Sequence, residues 1–483
     1  MILKKVDFKK VIFFLGIFYF IIIYLFNPPE GMDINAWKVS GLAGLMAIFW
    51  IFEVIPIYAT ALLPLIICPL FGITSLQEAA NPFANQIIFL FLGGFLLSIG
   101  LESSGLHKRF AMKILFLLGK NPNTLILGFL LSTASLSTLV NNTSTTMMML
   151  PIALSVITVV KETNLLSNSK DINNFSINIL LCIAYGSSVG GITTLIGTAP
   201  NIFMAGFINS TLGINLGFLN WLSIGVPIFI FGLSAVYITL NIIFFRITNI
   251  DNFDSREYFE SEYKKLGKWK VEEKLILTIF GIAVVLWIFQ PYLSNYFKNI
   301  TDGVIAMFCA LSLFFIPINW TENKYLLDKN SIFKIPWDAI LLFGGGLSLA
   351  SIIEKTKLAE WMGKNLDFIC KFPIVLQIMI VITLIIFLTE LTSNIATTAV
   401  FLPILSSIAQ SNNQNPILFI IPATIAASCA FMLPVATPPN AIVYASGLMK
   451  VSDMTKAGFI LNILFIIIIT MIIQFIAIPF LGL

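Results

Sequence analysis

Two short polar runs interrupt apolar stretches of this chain: Asn141-Asn142-Thr143-Ser144-Thr145-Thr146 and Thr392-Ser393-Asn394. Asparagine and the hydroxyl residues each offer both a donor and an acceptor. Such a run can therefore meet a cation through oxygen and an anion through N–H or O–H. Two further interruptions, Gly197-Thr198-Ala199-Pro200-Asn201 and Ala436-Thr437-Pro438-Pro439-Asn440, lie in later apolar stretches. Their prolines remove amide donors and disfavour helix just before them, which frees carbonyls for a hard cation. The helix restarting after each break offers amides and a dipole that favour an anion. No lysine or arginine lies within the four runs, although those are the ordinary holders of a carboxylate. The positive field must then come from bound cations and helix N-termini, which is a physical reason for coupling one to the other.

The same residues argue against catalysis. His107 is the only histidine and stands beside Lys108 and Arg109, so neither a histidine-ligated metal nor a histidine-based triad can be assembled. No His-Glu-x-x-His motif occurs, and neither hydroxyl-rich run has a nearby histidine or lysine base. The five cysteines, Cys68, Cys182, Cys309, Cys370 and Cys429, lie scattered in or beside apolar segments without pairing motifs and read as packing residues. Glu390, just before the second run, is an intramembrane acid and so a functional candidate, with a structural role left open beside it. Glu53, Glu102 and Glu354 fall near helix ends, where interfacial packing is the default. Isolated Ser, Thr or Asn residues in membrane helices commonly serve helix packing. Four runs in two repeated pairs favour a binding site.

The elements that position these runs must lie in lipid. The chain is 58% hydrophobic and 11% charged over 483 residues, against about 25% charged in soluble domains. Apolar runs near the roughly 20 residues that span a bilayer predict helices at 11–26, 38–54, 56–73, 86–103, 176–209, 221–245, 275–292, 303–318, 338–354, 416–449 and 457–481. The regions 123–160 and 374–409 read as helical hairpins with the polar runs at their tips. The fold class is thus all-α and integral to the membrane, about 11 transmembrane helices plus two re-entrant hairpins. Lys4, Lys5, Lys9 and Lys10 place the N-terminus inside. Counting crossings then puts the basic loops 104–122, 246–274 and 319–336 inside and the C-terminus outside. The segment 355–372 falls outside despite Lys355, Lys357, Lys364 and Lys371, and reads as an amphipathic interfacial helix. The net charge of +4 fits loop asymmetry and not nucleic-acid binding. Short loops and the lack of targeting signals favour a bacterial inner membrane.

An internal repeat is visible. Gly93-Gly94, Glu102 and Leu106 match Gly345-Gly346, Glu354 and Leu358 at a constant shift of 252, which also carries Asn142 onto Asn394. The matched helices are an odd number of crossings apart, so the halves are inverted, the architecture of many secondary transporters. One membrane transport domain is expected: an N-terminal helix within 1–37, a first repeat 38–245, a cytoplasmic linker 246–274 and a second repeat 275–483.

Nearly the whole chain resembles the divalent anion/sodium symporter family, carriers of dicarboxylates, citrate and sulfate. The hallmark is a Ser-Asn-Thr motif at each hairpin tip, paired with a later broken helix containing Pro-Asn. Here the tips read Asn141-Asn142-Thr143 and Ser393-Asn394-Ile395, each departing at one position. The resemblance implies one sodium near Ser137, Asn141, Asn142 and Gly197 and a second near Thr389, Thr392, Asn394 and Ala436. It implies a dianionic substrate, most simply a C4 dicarboxylate such as succinate, against Asn142, Thr143, Thr198, Ser393, Asn394, Thr437 and Pro438. Asn141 keeps an oxygen but is bulkier than serine, and Ile395 loses one substrate contact. The resemblance further implies a homodimer in which a transport domain moves against a scaffold in an elevator-like motion. A sodium-independent exchanger and a sulfate or citrate carrier are the rival readings. An intramembrane enzyme or a channel fits less well.

Overall fold

The computed structural model describes residues 8–162, 166, 168–248, 254–319, 321–358, 360–361 and 372–481. Lys4, Lys5, Lys364, Lys371 and Cys370 lie outside them, as does most of the helix expected over 355–372. In chain order the helices are α1 (Phe8–Leu25), α2 (Ile34–Ile51), α3 (Ile57–Ala61), α4 (Leu63–Leu70), α5 (Leu76–Ala80), α6 (Gln86–Ser104), α7 (Leu106–Leu118), α8 (Pro122–Ser137), α9 (Asn142–Glu162), α10 (Ser169–Thr193) and α11 (Ala199–Leu212). They continue with α12 (Phe218–Tyr237), α13 (Arg256–Lys265), α14 (Val271–Leu293), α15 (Asp302–Phe315), α16 (Trp337–Lys355), α17 (Ile374–Thr389), α18 (Asn394–Ser411), α19 (Ile417–Ala427), α20 (Pro438–Tyr444), α21 (Val451–Ile472) and α22 (Ile478–Leu481).

Their ends follow local chemistry. Asn85, Asn121, Asn168 and Thr301 cap α6, α8, α10 and α15 through side-chain oxygens, satisfying amides that a helix start leaves orphaned. Gly105 and Gly213 end α6 and α11 with φ of 79° and 66°, a left-handed conformation that glycine adopts without steric cost. Among the described residues, eight helices are long and apolar enough to cross a membrane. The crossings expected at 56–73, 303–318 and 416–449 are built from shorter pieces: α3 with α4, then α15, then α19 and α20 separated by coil. The cytoplasmic loops expected at 104–122 and 246–274 contain α7 and α13, and a small hairpin of β1 (Pro317–Asn319) and β2 (Lys324–Tyr325) follows α15. Arg109 on α7 pairs with the buried Glu273 of α14 at 3.0 Å, between the rings of Tyr263 and Trp269. The two basic segments are thereby tied into one body.

The repeat is visible in the packing. A Cβ on Gly93 would meet Ala306 at 2.7 Å, and one on its equivalent Gly345 would meet the Ala61 carbonyl oxygen at 2.0 Å. Matching glycines of α6 and α16 thus each seat an alanine, one on α15 and one on α3. The hairpins α8–α9 and α17–α18 pack on the broken helices that follow them, α10 and α19. The halves then interlock: α11 lies on the second hairpin's α18, and α20 lies on the first hairpin's α9. The polar runs lie at the starts of α9, α11, α18 and α20, the helices that make these contacts.

Candidate functional site

Each hairpin turns where its first arm ends on a hydroxyl residue and its second begins on asparagine. Ser137 closes α8 and donates to Asn142 Oδ1 at 2.8 Å; Thr389 closes α17 and donates to Asn394 Oδ1 at 2.8 Å. One turn further on, Thr146 donates to the Asn142 carbonyl and Thr398 to the Asn394 carbonyl, both at 2.8 Å. These six residues form three pairs related by the shift of 252, so the repeat extends to individual hydrogen bonds. Each tip offers a hydroxyl and an amide oxygen side by side, the kind of oxygen pair a sodium ion uses. Helices α9 and α18 begin there.

The neighbouring backbone is shaped to admit the first asparagine. A Cβ on Gly191 would lie 2.2 Å from Asn142 Oδ1, and one on Gly197 would lie 2.5 Å from the Gly191 carbonyl oxygen. Asn142, Gly191 and Gly197 therefore pack with no room for side chains, and Ser137 is fully buried beside Asn142.

The breaks are less free than the prolines alone imply. Asn201 Nδ2 donates to the Ile192 and Thr194 carbonyls at 3.0 and 2.9 Å, and Asn440 Nδ2 donates to those of Ala430 and Leu433 at 3.0 and 3.1 Å. The asparagine of each Pro-Asn element thus ties down carbonyls on the far side of its own break. In the first half, Thr194 donates to the Thr138 carbonyl at 2.6 Å and Ser98 to that of Leu139, which holds the hairpin tip to the break and to α6. The α20 helix spans only Pro438–Tyr444, too short for the dipole that the sequence pattern promised there. Helix α11 spans Ala199–Leu212 and keeps its dipole.

Glu390 is the structural surprise of the second half. It is 3% exposed. Its Oε1 accepts from the Phe431 and Met432 amides at 2.8 and 2.9 Å and from Asn462 Nδ2 at 2.8 Å, and its Oε2 accepts from the Leu433 amide at 3.1 Å. Carbonyls of the same stretch are taken by Tyr185, which donates to Phe431 at 2.7 Å, and by Thr455, which donates to Met432 at 3.2 Å. The role left open for this acid is at least structural: it pins the second break to its hairpin and to α21.

The remaining expected residues fall as follows. Thr198 precedes α11 and Ser393 precedes α18, and neither side chain caps its helix. Thr437 does cap α20, accepting from Asn440 N at 3.3 Å. Thr392 is used inside its hairpin, bonding the Leu388 carbonyl at 3.0 Å and the Thr397 hydroxyl at 2.6 Å. Thr143 is half-buried at the start of α9, Ala436 is buried, and Pro438 is exposed at the start of α20. Ile395 is half-buried against the apolar core. Gly191, Tyr185, Thr455 and Asn462 went unnoticed in the sequence because none lies within one of the four polar runs. A doubled glycine at 190–191 was the only signal available.

Residues 8–482 match the sodium:sulfate symporter transmembrane region. The chain is 38% identical over 476 residues to the sodium-dependent dicarboxylate transporter SdcS of Staphylococcus saprophyticus, covering 97% of this chain and 91% of that one. It is 36% identical over 469 residues to the SdcS protein of Staphylococcus aureus strain USA300, covering 96% and 90%. Among solved structures, the Alcanivorax borkumensis YdaH transporter superposes with a TM-score of 0.57 over 97% of this chain and 98% of that one, at 8% identity. That last likeness concerns the fold alone.

Proposed function

Because the chain belongs to the sodium:sulfate symporter family, whose members are transporters and not enzymes, we propose that it is a sodium-coupled symporter of dicarboxylates, with C4 dicarboxylates such as succinate as its substrate. The observation that carries this reading is the repeated pair of oxygens, Ser137 with Asn142 and Thr389 with Asn394, each at the start of a helix. Sodium is assigned to these pairs, with Gly197, Thr392 and Ala436 beside them. The dianion is assigned to Asn142, Thr143, Thr198, Ser393, Asn394, Thr437 and Pro438. With no cationic side chain in the four runs, bound sodium supplies the positive charge that the anion needs, so each ligand raises affinity for the other. The relatives' names, sodium-dependent dicarboxylate transporter, support both ion and substrate class, and their bacterial hosts support a bacterial inner membrane. On the same reading the single transport domain, with its repeats at 38–245 and 275–483, works as a homodimer by elevator-like motion, its N-terminus in the cytoplasm and its C-terminus outside.

The test is uptake of radiolabelled succinate into proteoliposomes under an inward sodium gradient, with potassium replacing sodium in one arm and citrate or sulfate competing in others. Sodium-driven accumulation that is lost in Asn142→Ala and Asn394→Ala supports the assignment. Exchange indifferent to sodium makes the protein an exchanger, and uptake blocked by sulfate or citrate but absent for succinate moves the substrate.

A further inference from the structure

The first hairpin tip departs from its partner at Asn141, which stands where the second tip has Ser393. The structure gives this asparagine a definite orientation. Its Oδ1 accepts the Ser144 amide at 2.8 Å, and its carbonyl accepts the Thr145 amide at 3.0 Å. Asn141 therefore caps α9, and its acceptor faces the helix. Ser393 makes no such cap on α18. With the oxygen turned onto a backbone N–H, whose hydrogen, unlike that of the Ser137 hydroxyl on Asn142, cannot rotate away from a cation, the group left pointing away is Nδ2, and it has no protein partner among the described residues. The neighbouring Asn142 is oriented in the same sense by a different bond: its Oδ1 takes the Ser137 hydroxyl at 2.8 Å, leaving its own Nδ2 uncommitted among the described residues. The first tip thus carries two adjacent carboxamide NH2 groups, whereas the second carries one, on Asn394, followed by the apolar Ile395.

Resting on the symporter reading above, we propose that Asn141 is an anion-binding residue and not a sodium ligand, and that it forms with Asn142 a paired-amide cradle at the first hairpin for one carboxylate of the substrate. Two neutral NH2 donors side by side offer what a guanidinium offers, two parallel hydrogen bonds to one carboxylate, without a fixed charge that would hold the anion when sodium leaves. The lopsided distribution makes the first hairpin the main carboxylate holder, while Ile395 at the second meets the carbon chain. Ser393 and Asn394 serve the second carboxylate with fewer donors.

Three variants separate this from a cation role. Asn141→Asp keeps the cap oxygen but puts a carboxylate where the NH2 pointed; Asn141→Ala removes both; Asn141→Ser restores a hydroxyl matching Ser393. In proteoliposomes at saturating sodium, the expected result is a KM for succinate raised about tenfold or more in Asn141→Ala, as for loss of a hydrogen bond to a charged group, and larger in Asn141→Asp. The thermal shift produced by sodium alone, read on the purified protein, stays at the wild-type size in Asn141→Ala. The proposal is overturned if the sodium-only shift disappears in Asn141→Ala and its KM returns to wild type as sodium is raised, because that pattern belongs to a sodium ligand. It is equally overturned if wild type accumulates succinate with sodium and all three variants match it, which leaves the symporter reading intact. A wild type with no sodium-driven uptake removes that reading, and this proposal with it.

Discussion

Removing the Glu390 carboxylate should loosen one defined stretch of backbone. Its oxygens accept from three consecutive amides, Phe431, Met432 and Leu433, and from Asn462. Hydrogen bonds to a charged acceptor contribute about 1.5–3 kcal/mol each, and stranding a buried donor costs about 1–3 kcal/mol. These effects do not add within one network. Glu390→Ala, which strands all four donors, should therefore destabilise by roughly 4 kcal/mol, near the range for breaking a buried charged interaction. Glu390→Gln retains one oxygen for the Phe431, Met432 and Asn462 donors but turns an NH2 toward the Leu433 amide, so about 2 kcal/mol is expected. The assay is thermal unfolding of the purified protein together with amide hydrogen exchange. The order of melting should be, from highest to lowest, wild type, Gln, Ala, and peptides covering 431–433, in the coil after α19, should gain exchange before α19 does. If Glu390→Ala melts with wild type and those amides remain as protected as before, the carboxylate does not pin the break and the reasoning is wrong.

Two further outcomes follow from the packing. Gly191→Ala places a methyl group 2.2 Å from Asn142 Oδ1 on a buried helix that cannot retreat, so succinate uptake should fall more than about tenfold, while Gly281→Ala, with nothing within 4 Å of its Cβ, should transport normally in the same assay. At the surface, the hydrogen bond from Lys355 holds the Glu78 carboxyl down, to about 2 from a usual 4.5. A depressed carboxylate contributes stability above its unfolded value that is lost as pH falls toward its folded one; the change in melting midpoint caused by Lys355→Ala should accordingly be the same at pH 8 and pH 5.5, and a difference between them would contradict the pairing.

The sequence made the repeated features legible and hid the unrepeated ones. Hairpin tips and breaks announce themselves because Asn142, Asn394, Pro200 and Pro439 are polar or helix-breaking residues in apolar surroundings, and because Gly93-Gly94 and Gly345-Gly346 mark the same step in each half. Helices α7 and α13 were read as loops because their charges, Lys108, Arg109 and Lys113 in one and Glu260, Lys264 and Lys265 in the other, mask the period of their apolar faces. The pair of Arg109 with Glu273 joins positions 164 apart, a distance at which no local pattern exists. The orientation of Asn141 was equally out of reach, since composition cannot say which end of a carboxamide a helix amide will claim.

The contrast between Glu390 and its equivalent in the first half, Thr138 at the shift of 252, has a backbone origin. Between α10 and α11 the chain is non-helical only over 194–198, whereas between α19 and α20 it is so over 428–437. In the interior of a membrane every such amide and carbonyl must find a partner within the protein. Carbonyls are the easier half of that problem, and both breaks solve it alike, with Asn201 and Asn440 donating backward across the break. Only the longer break presents three consecutive amides with no carbonyl in helical register, and a neutral hydroxyl such as Thr138 cannot accept from all of them. A carboxylate is acceptor-only and takes several donors at once. The acid at 390 is therefore explained by the length of the coil it faces, and the two halves share one packing plan while differing in charge. The consequence reaches the transport reading: an acidic group is buried next to the second oxygen pair and not the first, so any difference in sodium affinity between the two sites should favour the one at Thr389 and Asn394.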